Sequence, residues 1–94
     1  MAIVMLMHWP EVTKEKYEEV RRSVNWEGQH PDGGKFHTAW MADDGFHVLD
    51  LWDSQQQFEK FVQDRLSAGV AAAGVGGQPK VEFFEPLSIF APND

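Results

Sequence analysis

Four short segments of this chain read as strands, and they are apolar at odd and even positions alike, while only two segments read as helices. Ala2 to Met7 (AIVMLM) is apolar throughout. Further on, Phe46, Val48 and Trp52 alternate with Leu49 and Leu51, and Val81 and Phe83 alternate with Phe84. Successive side chains on a strand point to opposite faces, so both faces of the resulting sheet shun water. Two helices can cover one face. An open apolar patch of the size left over exceeds what soluble monomers carry. Back-to-back packing of two sheets about a twofold axis meets the need, and a homodimer through the sheet face is expected.

The elements follow from local signals. Thr13 suits an N-cap, with Glu15 favourably placed in the first turn. Tyr17, Val20 and Val24 then recur at helical spacing, which predicts a helix over 14–24. NWEGQHPDGG (25–34) is a loop by composition. Strands are predicted over 35–42 and 46–53, joined at Asp43-Asp44-Gly45, a hairpin signal because glycine takes positive φ without steric cost. Ser54 with Gln57 three residues on is a capping box that opens a second helix, its buried stripe being Phe58, Phe61, Val62 and Leu66. Gly69 is expected to interrupt this helix, with Ala71 to Ala73 adding a turn beyond it. GVGGQP (74–79) is a connector, 80–84 the last strand, and Pro86 ends its pairing. The order strand–helix–strand–strand–helix–strand, with the first and third strands central, predicts an α+β ferredoxin-like fold in one domain over 1–94.

Composition narrows the function. A formal charge of −7 and only eight scattered Lys and Arg speak against nucleic acid. With no cysteine there is no disulfide or thiolate metal site, and a reducing cytoplasm suits the chain. The apolar start is far too short to span a bilayer, and no membrane association is expected. GVGG (74–77) follows a helix instead of opening one, so it is not a phosphate loop. None of the four histidines has metal-ligand spacing, and no protein-ligated metal is expected. His47 and Asp50 are close in sequence but point to opposite faces of a strand.

The remaining chemistry lies in FHTAWMADDGFHVLDLW (36–52), where His37 and Asp50 sit among large apolar side chains. With a two- or four-residue hairpin loop, His37 shares a face with Asp50, Val48 and Trp52. With a three-residue loop and a bulge, it sides with Leu49 and Leu51. In the first register Asp50 would orient the imidazole and favour its protonated form, making a proton shuttle. The plainer alternative is a pair that satisfies its own polarity at a sheet edge. Trp40, Trp52, Tyr17, Phe58 and Phe61 are candidates to line a cavity between sheet and helices, or else simply core. Trp26 and the 25–34 loop are candidates for its lid, although a surface loop is the simpler reading. His30 reads as solvated, and Arg65 as an interface cation or, more simply, a solvated helix residue.

VTKEKYEEV (12–20), GGKFHTAW (33–40), GFHVLDLWDS (45–54), FEKFVQDRL (58–66) and the later GVGGQP together resemble the dimeric α/β-barrel superfamily, which includes the antibiotic-biosynthesis monooxygenase-like proteins. The resemblance spans nearly the whole chain and favours the register that joins His37 to Asp50. It implies a dimeric barrel and, among several activities in the superfamily, cofactor-independent monooxygenation, in which a bound polycyclic phenol itself activates oxygen. On that reading the chain binds a small apolar or aromatic molecule without a cofactor. His37 and Asp50 are then the proton-transfer pair, and Trp52, Trp40, Tyr17 and Phe58 shape the pocket. The rival is a non-catalytic ligand carrier or structural dimer. Haem binding is a third reading, with His8, His37 or His47 as the axial donor. The Asn, Trp and His set of the haem-degrading relatives does not map here, since the first strand has no Asn.

Overall fold

The computed structural model describes residues 2–92. β1 (Ile3–Trp9) leads to α1 (Lys14–Val24), then to the hairpin of β2 (Gly34–Ala42) and β3 (Gly45–Trp52). α2 (Gln55–Phe61) runs through a π-helical turn, Val62–Leu66, into α3 (Ser67–Ala73), and β4 (Lys80–Phe84) completes the sheet. The four strands are antiparallel in the order β2-β3-β1-β4, the ferredoxin-like arrangement. Among the described residues no helix is long and apolar enough to cross a membrane.

The predicted helix starts hold. The Thr13 hydroxyl accepts from Lys16 N and the Ser54 hydroxyl from Gln57 N, each satisfying an amide that the helix itself leaves free. Gly69 departs from expectation. It lies buried inside α3 without breaking it, because the helix crosses α1 there: a Cβ on Gly69 would sit 2.5 Å from Val24 Cγ2. The irregularity falls earlier, in the π turn. The helices also cap each other. Lys16 Nζ donates to Ala73 O at the end of α3, and Arg65 Nη2 donates to Val24 O at the end of α1, placing a cation at each negative helix end. Arg65, whose guanidinium also lies over Phe61, is therefore a cap and not merely a solvated residue.

The hairpin resolves the register. Ala42 pairs with Gly45, leaving Asp43 and Asp44 as a two-residue loop, and the positive φ of +116° falls on Gly45. Counting back, His37 pairs with Asp50. Met5, Met7, Trp9, Phe46, Val48 and Trp52 are all buried on the face that meets the helices, with Phe58 from α2. Val4, Leu6, Leu49 and Leu51 occupy the opposite face and are only half buried. β2 is an edge strand, and all its residues but Ala39 are exposed.

Candidate functional site

On the helix-side face, the register sets His37 Nδ1 2.7 Å from Asp50 Oδ1. An ionised carboxylate only accepts, so Nδ1–H is the donor. Trp52, two residues along the same face, donates its indole Nε1–H to Asp50 Oδ2 at 3.0 Å. Asp50 is only 6% exposed, and a buried charge needs such partners on both oxygens. With the proton on Nδ1, His37 Nε2 faces the Tyr17 hydroxyl of α1 at 2.8 Å. Neutral imidazole accepts from Tyr17 O–H there, and imidazolium reverses the direction. Burial pushes the Tyr17 pKa up, and the charges of Glu18, Glu27 and Asp50 add to this against the opposing pull of Arg21. At neutral pH Tyr17 is a phenol able to donate.

This four-membered chain borders a cavity of about 330 Å³ between sheet and helices. Buried Met5, Met7, Val48, Trp52 and Phe58 line it, with the more exposed Tyr17, Trp26 and His37 on the side nearer solvent. The lining is apolar, with a few convergent polar groups, as in small-molecule sites. It opens beside β2, where the His37 side chain is 31% exposed.

The 25–34 loop contributes Trp26, Glu27, His30 and Pro31 to the cavity lining. Asn25 adopts the left-handed conformation (φ 58°) and its N–H bonds Arg21 O, a helix ending of the left-handed type. This turns the chain so that the Trp26 ring stands edge-on to His37 at 5.2 Å. Arg21 then grips Glu27 through two hydrogen bonds of 2.8 Å each. This charge-assisted pairing holds the Glu27 carboxyl below the usual carboxylate range. Trp26 thus packs against His37 at the site, on a loop whose next residue is paired with α1 at the surface. His30 is exposed but lines the same cavity.

The structure gathers His37, Asp50, Tyr17, Trp52 and Phe58 at one cavity. Trp40 does not join them, which corrects its assignment as a pocket wall. It pairs with His47, one step out of phase with His37, so its ring lies on the opposite face. Trp40 is 42% exposed. There it stacks on His47, which stacks in turn on His8. Asp44 joins these two histidines in a cluster that sequence spacing could not reveal, because it forms across strands. Of the three candidate haem donors, His37 already has both ring nitrogens engaged.

The molecule is therefore an α+β ferredoxin-like protein whose helix-side cavity carries a Tyr–His–Asp–Trp hydrogen-bond chain. No family model matches the chain, and no curated protein does. Solved structures do match. SnoaB, a cofactor-independent oxygenase from Streptomyces nogalater, superposes with a TM-score of 0.69 at 11% identity, over 94% of this chain and 95% of that one. The ActVA-Orf6 monooxygenase of Streptomyces coelicolor, solved with nanaomycin D, gives 0.56 at 21% identity over 98% and 92%. A dimeric ferredoxin-like protein of unknown function from Thermobifida fusca gives 0.58 at 14% identity over 89% and 90%. The chain has the fold of the antibiotic biosynthesis monooxygenase-like proteins, as its sequence resemblance implies.

Proposed function

We propose that the cavity binds a small aromatic molecule, a phenol in the first instance, and that His37 moves protons on it in a cofactor-independent oxygenation. The observation that carries this reading is the hydrogen-bond chain from Tyr17 through His37 to the buried Asp50 and Trp52, ending in an apolar cavity. Asp50 stabilises positive charge on the imidazole, and the indole keeps the carboxylate from turning away. His37 Nε2, directly or through the Tyr17 hydroxyl, can take a proton from a phenol in the cavity. The resulting phenolate is electron-rich enough to reduce oxygen by itself. One oxygen atom bonds to a ring carbon and the other leaves as water, so that phenol and O₂ yield quinone and water, with the substrate as sole reductant. His37 returns protons to the departing oxygen.

We also infer that two copies pack through the open sheet face. Half-buried Val4, Leu6, Leu49 and Leu51, with exposed Phe36, Trp40 and Phe84 beside them, support this, as does the dimeric neighbour.

The test is His37→Ala with a polycyclic phenol as probe. Turnover should fall by about 10²–10⁴, the usual worth of a general acid–base group, while quenching of tryptophan fluorescence by the phenol persists. Binding without turnover in the parent protein would make it a carrier. Absence of binding in the parent would end the cavity reading altogether.

A further inference from the structure

On the sheet face away from the cavity, His8 and His47 are partners across the β1–β3 ladder, their rings 4.4 Å apart and 5° from parallel. Asp44, in the hairpin loop, closes the end of this pair. Its Oδ1 lies 2.6 Å from His47 Nε2, its backbone carbonyl oxygen 2.8 Å from His8 Nε2, and its Oδ2 3.8 Å from the same nitrogen. The side-chain donors of the three residues all lie within 4.8 Å of one another. None of them faces the cavity or takes part in the His37 chain.

Two features of this cluster go beyond ordinary surface hydrogen bonding. Both imidazoles turn the same atom, Nε2, toward Asp44, His47 to its carboxylate and His8 to its backbone carbonyl, and the ladder fixes the backbone beneath both rings. Trp40 stacks on His47 at 5.4 Å and 10°, so the His47 ring is held in a row with Trp40 and His8 beside the Asp44 loop. Two imidazoles and a carboxylate are the donor set that suits zinc and its neighbours nickel and copper, while magnesium and calcium prefer oxygen alone. A zinc ion about 2.0–2.2 Å from each donor needs donors roughly 3.3 Å apart. The donors now lie within 4.8 Å of one another, so closing on an ion requires the two half-buried, near-parallel rings to tilt toward it and the exposed carboxylate to swing in.

We infer that His8, His47 and Asp44 form a binding site for a divalent transition-metal ion of the zinc class, with water completing its coordination. Such an ion joins β1, β3 and the hairpin loop. Because the unfolded chain does not hold these donors together, the ion stabilises the folded state by mass action.

The chain without any affinity tag, titrated calorimetrically with zinc chloride, tests this. Saturable binding at one ion per chain is expected, with the dissociation constant raised more than about tenfold in both His8→Ala and His47→Ala and unchanged in His30→Ala. Should an alanine variant fail to fold, histidine-ring NMR of the parent protein answers the same question: zinc should perturb the His8 and His47 ring signals and leave His30 unmoved. No saturable binding, binding indifferent to both substitutions, or ring signals that move only at His30 or His37 would overturn the site.

Discussion

His37 has a hydrogen bond on each ring nitrogen, and the two differ in kind. The bond to Asp50 is charge-assisted and buried, so it sets which nitrogen holds the resident proton. The bond to Tyr17 lies on the side of the cavity nearer solvent and is the one a substrate can replace. Tyr17 is the only tyrosine, so phenolate absorbance reports this site alone. Its titration midpoint should lie above the ordinary 10.0, since burial is the leading cause of the shift. The folded state holds this proton more tightly than the unfolded one. Tyr17 therefore adds stability that is complete below the unfolded pKa and is lost as pH rises through the folded value. A midpoint at or below 10.0 would show that the hydroxyl is not enclosed as described. The His37–Asp50 pairing is legible in the sequence only as one of two registers, because a single extra loop residue turns every side chain on the strand over. Trp40 is misplaced by sequence reasoning for a related cause: grouping aromatic residues by bulk ignores the face that alternation assigns.

Among the elements, the second helical segment carries the least expected geometry. A glycine in a helix reads as a breaker because it adds backbone entropy to the unfolded state. At Gly69 the close passage of α3 over Val24 outweighs that cost, and no sequence pattern of one helix announces what another places against it. Gly69→Ala should thus destabilise the protein by about 1–3 kcal/mol of overpacking, less the roughly 1 kcal/mol gained in helix propensity. The denaturation midpoint in urea should fall with its slope unchanged. A raised midpoint would mean that α1 and α3 pack more loosely than this. The capping residues Thr13 and Ser54, by contrast, are legible, since a cap is a contact between near neighbours in sequence. So is the existence of the hairpin, whose Asp-Asp-Gly carries its own turn chemistry.

For the whole molecule, the apolarity of both sheet faces is the clearest sign in the sequence, and the fold leaves one of them open. Sedimentation at micromolar concentration should show a species of twice 10.7 kDa. Leu49 pairs with Leu6 across the centre of the open face. Leu49→Glu should therefore weaken association by about 2 kcal/mol or more, the worth of a residue at the heart of an interface. The 10.7 kDa chain should then appear alone. A parent protein that sediments only as the single chain would leave that face without the proposed partner. The His8–His47–Asp44 cluster is illegible in the sequence for a different reason. His8 and Asp44 are 36 positions apart and meet only because β1 runs antiparallel beside β3. One last consequence belongs to β2, the exposed edge strand of the sheet. On its inner side it aims His37; on its outer side it shows Phe36 and Trp40 to whatever settles there. A twin molecule seated behind it would brace that ribbon like a shutter against a frame, so parting the pair would slacken the imidazole's aim as well as wet the apolar face.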